Sequence, residues 1–270
     1  MYRNHSWLSD ISFQVINFPI VVAIKSVVVD ALRRNLDEAK IFRLKTYKLL
    51  KRIMFSKEEC ISLAWLKEKE EFKTEICEIL TRIGALKFGT FTLVGGKLSP
   101  YYIDLRIVPS IPEAFNRIGK IYVEIAKNDV GLENFTRIAG IPTAGVPFAS
   151  VLAFSLSKPF LYVRKEIKTH GRERRIEGIL HPGDRVLLVD DLITTGGSLL
   201  AAADAIQSEG GVVKDALVLI DREEGGKDAL AKMGIQLHYL ARMTEVAKFL
   251  YEIGTISREQ WKDILKQIKK

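Results

Sequence analysis

The sequence is poor in the residues that build disulfide frameworks and metal clusters. Its two cysteines, Cys60 and Cys77, lack the spacing of a metal site, and its four histidines are scattered along the chain. A fold held together by disulfides is therefore excluded. So few cysteines predict a protein of a reducing compartment, which we take to be the cytoplasm.

Long hydrophobic runs are also missing. The apolar run over residues 15–24 is interrupted by Lys25 and Asp30 before it reaches the roughly 20 residues that a membrane span needs. Little charge precedes this run and no small-residue cleavage site accompanies it, so the sequence does not predict a secretory signal. We therefore expect no contact with a membrane.

The positive charge is concentrated at the front of the chain. Residues 1–53 contain ten lysines and arginines against four acids, which is +6 of the net charge of +8. We predict a basic amino-terminal extension over 1–53, helical over 31–53, and a single domain over 54–270. We interpret the extension either as poorly ordered or as translated sequence upstream of a true start at Met54. An arm that binds nucleic acid or a partner protein is the third alternative.

Helical patterns alternate with short apolar runs through the rest of the chain. Apolar residues recur at three- and four-residue spacings over 58–86, which predicts a helix that ends at Gly84. Strands are predicted over 137–141, 160–163, 186–189, 216–220 and 236–240. Helices are predicted over 112–127, 144–156, 198–208, 226–233 and 244–253. This alternation predicts an α/β fold with a central, mainly parallel sheet flanked by helices.

The segment over 185–198 carries the strongest chemical signal. A buried strand leads into Asp190 and Asp191, and then into a turn of glycines and hydroxyl side chains that opens a helix. Backbone N–H groups at such a helix start suit a phosphate, while two carboxylates suit a sugar diol or a hydrated magnesium ion. Together they indicate a site for a ribose 5-phosphate. The alternative is a purely structural strand-to-helix turn capped by Asp and Thr, but it leaves the adjacent carboxylates unexplained. The segment is not a nucleotide P-loop, because the lysine of that motif is absent.

Four segments, in order along the chain, resemble the motifs of one enzyme family. Residues 185–198 are similar to the phosphoribosyl-pyrophosphate (PRPP) motif of the type I phosphoribosyltransferases. Residues 88–106, 162–171 and 219–223 resemble the amino-terminal signature, the mobile catalytic loop and the orotate-anchoring strand end of the orotate phosphoribosyltransferases. The resemblance covers about residues 70–270. It implies the type I phosphoribosyltransferase fold with a small amino-terminal hood, and the transfer of a phosphoribosyl group from PRPP to orotate in pyrimidine biosynthesis.

The resemblance implies which residues bind PRPP. In the catalytic loop these are Arg164, Lys165, Lys168 and His170, with Lys168 and His170 catalytic together with Asp190 and Asp191. In the PRPP motif they are Asp190, Asp191, Leu192, Ile193, Thr194, Thr195, Gly196, Gly197 and Ser198. Magnesium is the implied cofactor, bound through PRPP, Asp190 and Asp191. Because the loop reaches into the neighbouring subunit's site in this family, a homodimer is also implied.

The resemblance places orotate against Arg222, Thr194, Tyr102 and Ile103. A guanidinium binds a carboxylate through two parallel hydrogen bonds, and orotate carries a carboxylate that uracil and the purine bases lack. A surface arginine paired with Asp221 or Glu223 is the alternative interpretation of Arg222.

The chain departs from the family's pattern at two places. Val94 stands where many members carry a lysine, and Lys97 is a candidate replacement. Thr143 and Ala144 stand where bacterial members often have a tyrosine and a lysine. We therefore expect pyrophosphate to rest more on backbone N–H groups in this chain.

Two other functions compete with this interpretation. One is a phosphoribosyltransferase for another base. The other is a phosphoribosyltransferase-like transcription regulator that binds DNA through the basic amino terminus. A regulator can dispense with a catalytic loop, whereas this chain keeps the loop's basic residues, so an enzyme with small-molecule substrates and no nucleic-acid partner is favoured.

Overall fold

The structure is a computed structural model that describes residues 57–92, 96, 98–164 and 175–268, with side chains from Ala64 onward. The predicted extension over 1–53 lies outside the described residues. Val94, Lys97, Lys165, Lys168 and His170 lie outside them as well. From Ser62 onward the described residues form one compact unit.

A seven-stranded sheet lies at the centre of the part of the chain that the structure describes. Its strands are β3 (Arg137–Gly140), β4 (Phe160–Val163), β5 (Ile176–Glu177), β6 (Arg185–Val189), β7 (Leu192–Ile193), β8 (Val212–Asp221) and β9 (Gln236–Arg242). The order across the sheet is β5-β4-β3-β6-β8-β9, and the short β7 continues alongside β8 where β6 ends. Only β5 runs antiparallel to its neighbour among these described strands, which confirms the predicted parallel sheet.

Helices cover both faces of this sheet. They are α2 (Pro112–Ile125), α3 (Gly145–Leu156), α4 (Gly197–Ser208), α5 (Gly226–Lys232) and α6 (Met243–Glu252). Successive residues of β6 point to opposite faces, so Leu187 and Val189 join one hydrophobic cluster while Val186 and Leu188 join another. A strand buried on both faces needs a continuous apolar run, which is the pattern that marked it in the sequence.

Three further elements flank the sheet. Helix α1 (Lys57–Arg82) precedes a hairpin of β1 (Leu86–Thr92) and β2 (Leu98–Ile103), which pair antiparallel and which we call the hood. The last described helix is α7 (Arg258–Ile268), and it packs against β2. Among the described residues, no helix combines the length and the apolar character required to cross a membrane.

The five predicted strands and their helices are confirmed, with differences at their ends. Strand β8 begins at Val212 rather than at residue 216; the predicted strand was too short because Lys214 and Asp215 interrupt the apolar run. Helix α2 ends at Ile125 and continues as a single wider turn, Ala126–Val130. Helix α7 was not predicted, although Ser257 and Gln260 form a capping box at its start, a pattern that the sequence shows.

Candidate active site

Those predicted site residues that are described and that follow the parallel strands lie at one edge of the sheet. Because β3, β4, β6 and β8 run parallel, their carboxyl ends lie at the same edge. Residues 190–198 follow β6, residues 141–145 follow β3, Arg164 follows β4, and Arg222 follows β8. This is the edge where open α/β sheets bind their ligands.

The backbone of Asp190 is held firmly at the end of β6. Its N–H donates to the Leu217 carbonyl at 3.1 Å, and its own carbonyl accepts a hydrogen bond from the Tyr122 hydroxyl at 2.7 Å. Tyr122 is fully buried on α2 and stacks on Phe148 of α3, with 5.4 Å between ring centroids. Sequence reasoning missed this anchor, since Tyr122 precedes Asp190 by 68 positions and belongs to no motif.

The loop after β3 closes against the same carboxylate. A Cβ atom on Gly145 would lie 2.6 Å from the Val189 carbonyl oxygen and 2.7 Å from both the Cα and Oδ1 of Asp190. Only glycine therefore lets α3 begin this close to Asp190. Thr143 and Ala144, one of the two departures from the family's pattern, directly precede Gly145; Thr143 is exposed and Ala144 half-buried.

Asp191 is half-buried next to Asp190. The Asp190 Oδ1 accepts a hydrogen bond from the Asp191 N–H at 2.9 Å, and the Asp191 carbonyl accepts one from the Leu219 N–H at 3.0 Å. Burial raises the pKa of the Asp191 carboxyl above its usual range, against the opposing effect of hydrogen bonds and of the positive charge of Arg106. A buried carboxylate of this kind gains from a cation or from hydroxyl donors placed beside it.

The turn that follows the two carboxylates leaves the start of α4 uncovered. Gly196 adopts a left-handed conformation (φ +83°), which turns the chain sharply into the helix. Within the described residues no side chain caps this helix, while Thr195, Gly197 and Ser198 are exposed. The first backbone N–H groups of α4 are thus available to an anion, together with hydroxyl groups on either side.

Arg222 lies directly beside this turn. Its N–H donates to the Ile193 carbonyl at 3.0 Å, and the Gly226 N–H donates to the Thr194 carbonyl at 2.9 Å. These bonds continue the pairing of β7 with the end of β8. They bring Arg222 next to Thr194, although 28 positions separate the two in the sequence.

The guanidinium of Arg222 is buried, with 8% of the residue exposed. Its Nε donates to the Tyr101 hydroxyl at 3.1 Å, and its Cζ lies 4.9 Å from the centre of the Tyr101 ring. Its Nη2 lies 2.9 Å from Glu224 Oε1, yet Nη2 makes no hydrogen bond within the described part of the chain. A buried guanidinium with unused hydrogen-bonding capacity suits a ligand that carries a carboxylate.

A surface arginine paired with Asp221 or Glu223 is excluded. The Asp221 Oδ1 accepts the Glu223 N–H at 2.8 Å, and the Glu223 Oε2 accepts the Thr244 N–H at 2.8 Å. Glu223 also has a positive φ of 58°, a conformation that is rare for residues other than glycine and is found preferentially at functional sites. The carboxylate nearest to Arg222 is instead that of Glu224.

The hood contributes Tyr102 and Ile103 in different ways. Tyr102 is half-buried, and its hydroxyl accepts a hydrogen bond from Arg106 Nη2 at 2.8 Å. Arg106 also binds Asp104 through Nε at 2.6 Å and Nη2 at 2.9 Å. Ile103 is 8% exposed and packs in the hydrophobic core. Sequence reasoning assigned no role to Arg106, whose charge acts on Asp191.

Of the predicted catalytic loop over 162–171, the structure describes residues 162–164, and the described chain resumes at Arg175. The Arg164 N–H donates to the Arg175 carbonyl at 2.8 Å. The Arg164 Nη1 lies 2.9 Å from Glu177 Oε1. The roles of Lys165, Lys168 and His170 therefore stay predictions.

Comparisons with known proteins identify the family. Residues 107–238 match the phosphoribosyl transferase domain family. The chain is 44% identical over 186 residues to the orotate phosphoribosyltransferase of Cenarchaeum symbiosum, a match that covers 69% of this chain and 91% of that protein. The chain belongs to the orotate phosphoribosyltransferase family.

Solved structures of orotate phosphoribosyltransferases share the fold. The enzyme from Aeropyrum pernix matches with a TM-score of 0.60 and 35% identity over 67% of this chain and 99% of its own. That of Mycobacterium tuberculosis in complex with PRPP matches with a TM-score of 0.51 and 26% identity over 64% of this chain and 98% of its own. The resemblance drawn from four motifs, and the fold it implied, are confirmed.

Proposed function

We propose that this protein transfers the 5-phosphoribosyl group of PRPP to orotate and releases orotidine 5′-monophosphate and pyrophosphate, a step of pyrimidine biosynthesis. Membership in the orotate phosphoribosyltransferase family supports the reaction. The observation that carries the choice of orotate is the buried guanidinium of Arg222, whose Nη2 makes no hydrogen bond among the described residues and which adjoins Thr194 at the PRPP turn.

PRPP is proposed to bind across residues 190–198. Its 5-phosphate would lie at the start of α4, against the backbone of Gly196 and Gly197 and the hydroxyl groups of Thr194, Thr195 and Ser198. Leu192 and Ile193 would contribute backbone contacts at the base of the turn. The ribose hydroxyls would donate to Asp190 and Asp191. A relative solved in complex with PRPP supports PRPP as a substrate.

Magnesium is proposed as the cofactor, and the two carboxylates fit it in part. Magnesium prefers oxygen ligands and is usually held by one or two carboxylates together with substrate phosphates and waters. Asp190 and Asp191 supply such oxygens, and the described residues contain no group of three or more acidic, histidine or cysteine side chains that could hold a metal alone. Asp190 and Asp191 would therefore hold the ion together with PRPP, and the ion would supply positive charge next to the pyrophosphate group.

Orotate is proposed to lie between the end of β8 and the hood. Its carboxylate would accept hydrogen bonds from Arg222, with Thr194 beside it and Tyr102 and Ile103 along its ring. Fixing the carboxylate sets which ring nitrogen faces the anomeric carbon. Because the reaction joins two substrates, much of its acceleration would come from this alignment.

The departing pyrophosphate is proposed to be stabilised by the loop after β4. Arg164, Lys165, Lys168 and His170 would surround it with positive charge and exclude water. Interactions that strengthen as the bond to pyrophosphate breaks lower the barrier more than they stabilise bound PRPP. No residue needs to act as a covalent nucleophile in this scheme.

The protein is proposed to act as a cytoplasmic homodimer in which each loop completes its partner's site. The support is the family resemblance of residues 162–171, together with the reducing compartment that the cysteine content predicts. The relatives compared above are named as enzymes, which favours turnover over a regulator that binds DNA.

A substrate panel tests the proposal. Purified protein should form pyrophosphate with PRPP and orotate, but not with uracil, hypoxanthine or xanthine. The Arg222→Lys variant should mainly raise the KM for orotate, by about ten- to a hundredfold, because lysine cannot supply two parallel hydrogen bonds to a carboxylate. Turnover of a purine base without turnover of orotate would overturn the assignment.

A further inference from the structure

Arg222, at the proposed orotate site, contacts a side chain from another part of the fold. We infer that Tyr101 is a positioning residue that orients the Arg222 guanidinium toward the carboxylate of orotate. This inference rests on the proposed function and deepens it, since it concerns how the same site selects its substrate.

The contact between the two side chains is direct and buried. Tyr101 lies on β2 with no exposed surface, and its hydroxyl accepts a hydrogen bond from Arg222 Nε at 3.1 Å. The Arg222 Cζ also lies 4.9 Å from the Tyr101 ring centre, within the range of a cation–π contact. A guanidinium is planar, so a hydrogen bond at Nε together with a ring beside it fixes the direction in which both terminal nitrogens point.

This geometry engages Nε with Tyr101 and leaves Nη2 in an ion pair with Glu224 that is not a hydrogen bond. The Nη2 atom lies 2.9 Å from Glu224 Oε1 and makes no hydrogen bond within the described residues. Two parallel hydrogen bonds to a carboxylate need donors fixed in one plane. Tyr101 would thus reduce the side-chain ordering that orotate binding has to impose on Arg222.

Tyr101 is itself fixed from the opposite side of the hood. The Ser99 hydroxyl donates to the Tyr101 carbonyl at 2.8 Å and lies 3.0 Å from the side-chain oxygen of Gln267 on α7. Ser99 is 1% exposed, so this link is buried as well. Burial also raises the pKa of Tyr101 against the opposing charge of Arg222, so the phenol stays neutral and keeps its own proton. Tyr101 therefore links the position of the described part of the hood to Arg222.

The Tyr101→Phe variant tests this inference. It removes the hydroxyl but keeps the ring, and it should raise the KM for orotate about tenfold while the KM for PRPP changes less than about twofold. A merely structural role would shift both KM values, and KM does not depend on how much of the enzyme is folded. The matched control is Tyr251→Phe, since Tyr251 stacks on Trp261 of α7. The KM of this variant for orotate should equal that of the wild type.

A double-mutant cycle with Arg222→Lys identifies the partner. Lysine has no Nε–H to donate, so Tyr101→Phe should add little in the Arg222→Lys background. If the two effects multiply, Tyr101 acts independently of Arg222 and the inference is overturned. It is also overturned if wild-type enzyme uses orotate and Tyr101→Phe leaves its KM unchanged. If the wild-type enzyme does not use orotate at all, the proposed function fails, and the inference fails with it.

Discussion

Replacing Gly197 by alanine separates the proposed phosphate site from the stability of the fold. Gly197 is the first residue of α4, it is exposed, and a Cβ atom there would meet no atom within 4 Å apart from its chain neighbours and the helix's own backbone. Its φ lies outside the left-handed range, in contrast to the buried Gly196 at +83°. Alanine therefore fits the protein without a clash, and the space its methyl group occupies is the space proposed for the 5-phosphate of PRPP.

The expected effects on stability and on binding have opposite signs. Alanine in place of glycine in a helix should stabilise the fold by at most about 1 kcal/mol. A methyl group at the helix start should displace the phosphate from its backbone donors. Each hydrogen bond to a charged group contributes about 1.5–3 kcal/mol, so losing one bond should raise the KM for PRPP about ten- to a hundredfold.

Thermal unfolding and steady-state kinetics measure the two effects on the same sample. We expect an unfolding midpoint at or above that of the wild type, together with a raised KM for PRPP. Gln207→Ala, at the exposed far end of the same helix, is the control and should leave the KM for PRPP unchanged. A Gly197→Ala variant with normal affinity for PRPP would show that the phosphate does not lie at the start of α4.

Two further predictions concern stability and assembly. Burial alone would raise the pKa of Glu245, but the Arg242 N–H at 2.8 Å and the Lys73 ammonium at 2.9 Å lower it below 4.5. The charged carboxylate therefore stabilises the fold above that pH, and this stabilisation is lost as the pH falls through the lowered pKa. In urea unfolding, Glu245→Gln should lower the free energy of unfolding by about 1 kcal/mol at pH 7 and by progressively less in acid. A loss of stability that does not depend on pH would contradict this. Mixing refolded Lys168→Ala and Asp191→Asn subunits should restore about a quarter of wild-type activity if loops are exchanged in a dimer, because half of the dimers are mixed and each mixed dimer has one intact site. No recovery would indicate that each loop serves its own subunit.

Apolar patterns along the chain predicted most of the secondary structure, because each pattern reflects which side chains of a strand or helix are buried. Val186–Val189 are apolar throughout because β6 is buried on both faces. Where burial alternates, as at the start of β8, the pattern weakened and the predicted strand was too short. The acidic pair and the glycine turn were recognisable for the same reason, since phosphate and diol binding needs those residue types in one continuous segment.

The sequence by itself determined the alternation of strands and helices, the family, and the position of the turn that we propose binds PRPP. Only the tertiary structure decided which side chains surround Arg222. Tyr101 lies 121 positions before it, and Tyr122 lies 68 positions before the Asp190 carbonyl that it anchors. No periodicity or motif spacing encodes such pairs, because they form only when the hood and α2 pack against the carboxyl edge of the sheet. One continuous segment therefore determines the turn over residues 190–198, whereas the proposed orientation of the Arg222 guanidinium depends on the packing of distant segments.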